Sequence, residues 1–229
     1  MRITEIKDTN LWPTVANYYV CEHCHVVDSD IRRTERDYRC PTCGKTSDTG
    51  RLFFNLNILT LIDLIQEAFF AKPWKESPFG NKKINAHSLS VLVFFCTLRE
   101  VLLESLIFDL MCMHSLPHNV RDRLYDDNRT YSDRMTKLFP SLAGIKSWNE
   151  AINQTKIKTG RDHRHINKFM IKANTMRNEI LHEGDGLAFR PYMKKACLEN
   201  IPKLIELYVD FHNTFIHPVY MEPFDRTGR

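Results

Sequence analysis

No run in this chain is both long enough and apolar enough to cross a bilayer. Of its two most hydrophobic stretches, Leu56 to Ala71 is short and holds Asp63, Gln66 and Glu67, while Leu89 to Met113 holds Arg99, Glu100, Glu104 and Asp109. Each of those groups is costly in hydrocarbon, so both stretches are expected to be core helices and no membrane partner is expected. Met1 to Tyr18 lacks an apolar core behind its charges; no secretory signal is expected there, and a cytoplasmic location is the default expectation. Internal repeats and low-complexity segments are absent. A large charge excess is also missing: the formal net charge of +4 permits a polyanionic partner without requiring one, so the placement of the charge matters more than its sum.

With 229 residues, 43% of them hydrophobic, the chain can bury a real core, and its length fits one main domain plus a small accessory one. Four of its seven cysteines fall into two pairs, Cys21-Glu22-His23-Cys24 and Cys40-Pro41-Thr42-Cys43-Gly44, with fifteen residues between them. Two cysteines separated by two residues can place both sulfurs on one ion, and the glycine that follows lets the backbone turn its amides toward the thiolates. Each pair follows a strand-like run, Asn17 to Val20 and Asp37 to Arg39, and the segment Tyr18 to Lys45 resembles a zinc ribbon. The expected ligands are Cys21, Cys24, Cys40 and Cys43, holding one structural zinc that replaces a core too small to fold alone. Four sulfurs leave no open position for catalysis, and His23 and His25 are alternative ligands. Arg32, Arg33, Arg36, Arg39 and Lys45 either hold nucleic acid or form a solvated hairpin face. The remaining cysteines, Cys96, Cys112 and Cys197, read as small hydrophobes. Small polar residues from Thr46 to Gly50 place a domain boundary near residue 50, dividing the chain into 1–50 and 51–229.

Beyond that boundary the pattern is helical, and the expected fold class is mainly α. A first amphipathic helix follows Leu56, Leu59, Ile62 or Asp63, Ile65 or Gln66, and Phe69 or Phe70. A second, from Asn85 or Ser88 to Met113, is apolar nearly all round and belongs at the centre of a bundle. Its polar island, Arg99, Glu100 and Glu104, needs partners if buried: an arginine from the helix that carries the candidate site, an internal Arg99–Glu pair, or exposure at a helix edge are the open readings. Residues Pro117 to Phe139 read as one or two short exposed helices that Pro140 interrupts, and Ser147 to Thr155 as another. A final helix, Pro191 to Phe215, would close the bundle.

From Lys156 to Arg177 the basic residues Lys156, Lys158, Arg161, Arg164, Lys168, Lys172 and Arg177 face only Asp162, a local field suited to phosphate. At about 100° per residue on one continuous helix, Arg161, Arg164, His165, Lys168 and Lys172 share a stripe that leads toward His182, with Asn178 beside it. Such a stripe is also what a solvated helix face looks like. The stretch closes with Arg177-Asn178-Glu179-Ile180-Leu181-His182-Glu183-Gly184-Asp185-Gly186, where Gly184 and Gly186 are expected to cap the helix.

Arg177, the amide Asn178 and His182 after four intervening positions resemble the Arg-x4-His signature of HEPN-superfamily ribonucleases. That resemblance implies an HEPN-like helical bundle from about Phe53 to Phe215. It also implies a homodimer that brings two motifs into one composite cleft, and a toxin or antiviral-defence role with a regulatory or antitoxin protein as partner. The chemistry has its own rationale. RNA carries its nucleophile, the 2′-hydroxyl, so a metal-independent endoribonuclease needs only a proton-transfer group and charge stabilisation, and leaves a 2′,3′-cyclic phosphate and a 5′-hydroxyl. His182 can move the proton, Arg177 can hold non-bridging oxygens, Asn178 can orient substrate, and Glu100 and Glu104 can back the arginine. Arg161, Arg164, His165, Lys168 and Lys172 would grip the RNA. Against this stand a surface pairing of Arg177 with Glu179 or Glu183 and a His182 that merely complements the helix dipole. The whole chain would then be a non-catalytic nucleic-acid-binding module or a protein-interaction adaptor.

Overall fold

The computed structural model describes residues 11, 17–30, 32, 35, 37–47, 51–71, 86–182 and 192–216. Expectations for Arg33, Arg36, Thr49, Gly50, Glu183, Gly184, Asp185, Gly186 and Pro191 lie outside the described residues. The chain is mainly α-helical, with five two-residue strands among the described residues of its first quarter: β1 (Tyr19–Val20), β2 (Val27–Asp28), β3 (Tyr38–Arg39), β4 (Thr46–Ser47) and β5 (Arg51–Leu52). The helices are α1 (Leu56–Phe70), α2 (Ala86–Met113), α3 (His118–Asp127), α4 (Tyr131–Asp133), α5 (Phe139–Ala143), α6 (Trp148–Thr159), α7 (Arg164–His182) and α8 (Tyr192–Phe215). Among the described residues no helix is long and apolar enough to cross a membrane.

Contacts divide the chain into two compact units that do not coincide with a division at residue 50. The first comprises 1–16, 54–99 and 164–205. Asn55 begins α1 by accepting a hydrogen bond from the Ile58 amide at 3.1 Å, satisfying one of the amides that a helix start leaves unpaired. α1 then buries Ile58, Leu59, Ile62, Ile65 and Ala68 at helical spacing. Val91, Leu92, Phe95, Cys96 and Leu98 of α2, Ile166, Met170, Ala173 and Met176 of α7, and Met193, Cys197, Ile201 and Leu204 of α8 supply the rest of this core. Phe95 meets Phe169 edge to face, with centroids 5.4 Å apart.

The second unit comprises 17–53, 100–163 and 206–229, so the strands group with helical segments instead of standing alone. β1 pairs antiparallel with β2 (Tyr19 opposite Asp28) and with β5 (Tyr19 opposite Leu52), while β3 and β4 form a separate hairpin. The α2 part buries Leu102, Leu103, Leu106, Ile107, Leu110 and Met111, which occupy several faces of the helix, as an all-round apolar pattern requires. An aromatic cluster fills the centre: the Phe139 ring lies 5.4 Å from Trp148, 5.6 Å from Phe211 and 5.7 Å from Phe215. Ser147 opens α6 by accepting from the Glu150 amide at 3.2 Å, and the Glu150 carboxylate takes the Lys146 amide at 2.7 Å.

Pro140 does not interrupt the helical path as expected. Between α4 and α5, residues Arg134–Leu138 form a π-helical turn, and the Phe139 amide reaches back five residues to the Arg134 carbonyl. A proline has no amide to donate and its ring crowds the carbonyl four residues earlier, so one wider turn lets the helix pass it unbroken. Gly144, at φ 68°, then ends α5.

The expected continuous helix through 156–177 is also broken. Gly160 takes the left-handed conformation at φ 78°, its amide bonding the Lys156 carbonyl at 2.9 Å, and α7 restarts only at Arg164.

The two extremes of exposure give a check on this core. Phe139→Ala is expected to cost about 3–5 kcal/mol in urea unfolding, whereas Ile157→Ser, at a side chain 85% exposed, should move stability by less than about 0.5 kcal/mol. Similar midpoints for the two variants would contradict the placement of Phe139.

Candidate functional site

The first unit contains α7 and with it Arg177, Asn178 and His182. Ile166, Met170, Ala173, Met176 and Ile180 bury one side of this helix. Arg164, His165, Lys168, Lys172 and His182 are exposed and, at about 100° per residue, fall within roughly 100° of one another on the other side. Lys172 Nζ sits 5.0 Å over the half-exposed Tyr192 ring, so the face combines charge with an aromatic surface. Arg177 and Asn178 are half-buried. On α7 Arg177 lies roughly 140° around from His182, beside the buried Ala173 and Ile180. The motif residues therefore share a helix but not a face.

Arg99, buried in the same unit, donates from Nη1 to the Met170 carbonyl at 3.2 Å and from Nη2 to Asn174 Oδ1 at 3.0 Å. These bonds satisfy a charge that would otherwise be expensive inside, and fix the inner side of α7 one turn before Asn178. The partner expected for Arg99 was a glutamate of its own helix; the Met170 carbonyl and Asn174, some seventy residues on, carried no local signal.

Glu100 and Glu104 belong to the second unit. Glu104, for which an arginine from α7 was one expectation, pairs with Arg134 in the π turn. Arg134 also donates Nε to the Asn128 carbonyl at 3.0 Å and stacks 5.1 Å over Tyr125, whose hydroxyl reaches the Glu104 carbonyl at 3.3 Å.

Arg161 lies in the turn before α7 and so stands off the helical stripe. Its guanidinium grips the buried Asp210 of α8 through Nε at 2.7 Å and through Nη2, and Glu206 through Nη1 at 3.2 Å. His163 Nε2 is 2.7 Å from the same Asp210 carboxylate. Burial pushes the Asp210 carboxyl up, but the hydrogen bonds from His163 and Arg161 outweigh it and hold the group below the ordinary carboxylate value. The same pairing with Asp210 raises Arg161. Tyr18 nearby is raised by burial and by Glu206. This cluster escaped sequence reading, because an aspartate inside an apolar helix advertises a need for a partner without saying where the partner is.

The four expected metal ligands converge. Cys21, Cys24, Cys40 and Cys43 have sulfurs all within 4.8 Å of one another, with Cys21 to Cys43 at 3.9 Å and Cys24 to Cys40 at 3.7 Å, and all four are free thiols. Tetrahedral coordination with metal–sulfur distances of about 2.3 Å sets sulfurs about 3.8 Å apart, close to the two shorter separations here, so this set could hold a metal ion. Each pair sits in the same turn: the His25 amide bonds the Cys21 carbonyl and the Gly44 amide the Cys40 carbonyl, both at 2.8 Å, and both residues have positive φ, 54° and 70°. Histidine thus does at the first turn what glycine does at the second. The imidazoles point to other work, since His23 Nε2 donates to the Thr46 carbonyl at 3.1 Å and neither His23 nor His25 joins the sulfur group.

Comparison of the chain with protein-family models, with curated proteins and with solved structures finds no match. What the chain does is therefore argued from its own residues.

Asp210 gives the pH test of this geometry. Its proton leaves more readily in the folded chain than in the unfolded one, so its contribution is complete above the unfolded carboxylate pKa of about 3.9 and is lost as pH falls through the lower folded value. Asp210→Asn is expected to cost about 2 kcal/mol at pH 7 and to lose stability less steeply below about pH 4. Urea midpoints at pH 7, 4 and 3 measure both; parallel acid limbs in the two proteins would refute the pairing.

Proposed function

We propose that this protein is a metal-independent endoribonuclease of HEPN-like build, carrying a structural zinc ribbon. The observation that carries the reading is the exposed face of α7, where Arg164, His165, Lys168 and Lys172 lead along one side of the helix to His182. A row of cations spaced along a helix is a track for a phosphate backbone, and an exposed imidazole at its end can reach a proton on what is bound there.

In the proposed reaction His182 takes the 2′-hydroxyl proton or delivers one to the 5′-leaving oxygen. The attacking and leaving oxygens belong to the RNA, so the products are a 2′,3′-cyclic phosphate and a 5′-hydroxyl. Arg177 holds the non-bridging oxygens, whose charge grows in the transition state, and Asn178 orients the phosphate or His182. Because Arg177 and His182 occupy faces roughly 140° apart on α7, the reading assigns them to one cleft from two protomers, each subunit lending the group that the other lacks. Glu100 keeps the supporting role proposed for it, whereas Glu104 is engaged by Arg134. A toxin or antiviral role, held in check by a protein partner, completes the proposal.

Zinc is the ion proposed for the four-cysteine site. An all-thiolate, four-ligand set favours it and leaves no open position, so its contribution is to hold the two turns together. Free of metal, Cys24 is pushed well above the ordinary thiol value, first by burial and then by its sulfur neighbours; binding would release protons.

The half-buried position of Arg177 favours a second reading, in which the same basic face binds RNA without cutting it. Cleavage assays in magnesium-free buffer separate the two. Arg177→Ala and His182→Ala are each expected to slow single-turnover cleavage about 10²–10⁴-fold with binding retained. Equal cleavage by wild type and both variants would refute the assigned site, and salt-dependent binding without cleavage would establish the second reading. Lys168→Ala combined with Lys172→Ala should lower the logarithmic salt slope by about 1.4.

For the metal, about one zinc per chain is expected by elemental analysis. Cys40→Ser should abolish it and unfold the ribbon, seen as lost amide protection over residues 19–47. Wild-type protein purified without chelator and devoid of zinc would contradict the assignment.

A further inference from the structure

The two turns that carry the cysteines use some backbone groups to shape themselves and present others outward. Inward, the Cys21 amide bonds the Val26 carbonyl at 3.0 Å and the His25 amide bonds the Cys21 carbonyl at 2.8 Å. The outward groups meet two consecutive residues of α8. His212 Nε2 donates to the His25 carbonyl at 3.0 Å, and the Asn213 side chain both accepts from the Val27 amide and donates to the Val27 carbonyl, each at 2.8 Å. His212 is buried, with Phe53 against its ring at 4.9 Å and Asp109 Oδ2 at 3.5 Å from Nδ1.

The same turn of α8 has a second set of attachments. Asp210, about 200° around the helix from His212, carries Arg161 and His163. Lys158 Nζ donates to the Asn213 and Thr214 carbonyls at 2.6 and 3.2 Å, closing the carboxy-terminal end of the helix. One helical turn is thus bonded to the cysteine turn on one side and to the α6–α7 connection on another.

We propose that metal occupancy at Cys21, Cys24, Cys40 and Cys43 is transmitted through Asp210–Asn213 of α8 to Arg161 and His163, the connection that immediately precedes α7. When the ion leaves, the left-handed closure at His25 is held only by the turn's own hydrogen bonds and by those from His212 and Asn213. The His25 carbonyl and the Val27 amide and carbonyl then withdraw from His212 and Asn213. Buried polar groups that lose their partners must shift or unfold locally, and the residues next to them in the same turn carry the Asp210 cluster. The coupling is reciprocal, so a change at Asn213 must weaken metal binding although it touches no ligand. The proposal rests on the metal reading above and is independent of RNA cleavage.

Hydrogen–deuterium exchange on the full chain, zinc-loaded and zinc-stripped, tests it, together with zinc titration against a chromophoric chelator. Stripping is expected to speed exchange about tenfold or more at 206–216 and 160–163 as well as at 19–47, with α1 unchanged. Asn213→Leu should still bind one zinc per chain, with Kd raised about tenfold and exchange at 160–163 faster even when loaded. Faster exchange confined to 19–47, a loss of protection that extends through α1, or wild-type zinc affinity in Asn213→Leu would each overturn the coupling. Failure of the wild-type chain to bind zinc would instead remove the metal premise, and inactivity toward RNA would leave these readouts untouched.

Discussion

Polar side chains on one turn of α8 hold the second unit together. The buried Asp210, His212 and Thr214 and the half-buried Asn213 sit where an apolar helix would offer only packing; the side chains of Asp210, His212 and Asn213 hydrogen-bond 25–27 and 161–163, and Lys158 donates to the Asn213 and Thr214 backbone carbonyls. Hydrophobic burial around Phe139, Trp148 and Phe211 supplies the bulk of the favourable energy there. Burial is not directional, however, and an aromatic cluster tolerates many relative arrangements of short strands and helices. Hydrogen bonds with one acceptable partner do not, and a partner missing costs more than its presence contributes. The β1–β2 segment is tied into this unit by these bonds.

Much of the architecture was legible in the chain because it is local. The cysteine spacing brought four sulfurs together, the all-round apolar pattern of 89–113 became a helix buried on several faces, and Leu59, Ile62 and Ile65 of α1 became core, whereas Leu56 at its start is exposed. What could not be read depends on pairing across distance. Glu104 meets Arg134, Arg99 meets Asn174, and Asp210 meets Arg161 and His163, pairs separated by 30 to 75 positions with no periodicity to join them. Two errors were conformational. Pro140 reads as a helix breaker, yet a π turn absorbs it; Gly160 sits within a run of good helix formers, yet it adopts positive φ and divides the basic stretch. Arg161 changes character with that division, from a position on a charged stripe to the partner of a buried acid.

The candidate catalytic helix shows a separation of tasks. Its inner side is held by core residues and by Arg99, a rigid support for whatever the outer side does. The outer side carries the exposed Arg164, His165, Lys168, Lys172 and His182, and Arg177 falls between the two. Arg177 and His182 thus leave α7 in directions roughly 140° apart.

The π turn at Arg134–Leu138 has a consequence of its own. A regular helix advances about 100° per residue, so one extra residue taken into a wider turn shifts the phase of everything after it by about that angle. Arg134, before the shift, faces Glu104 and Tyr125; Phe139, after it, faces Trp148 and Phe211. A strictly α-helical path of the same length would aim one of those side chains away from its partners. The segment therefore behaves like a gear with an added tooth, in which deleting a single residue would be felt less as lost length than as a rotation of the aromatic core against the charged cluster that borders it.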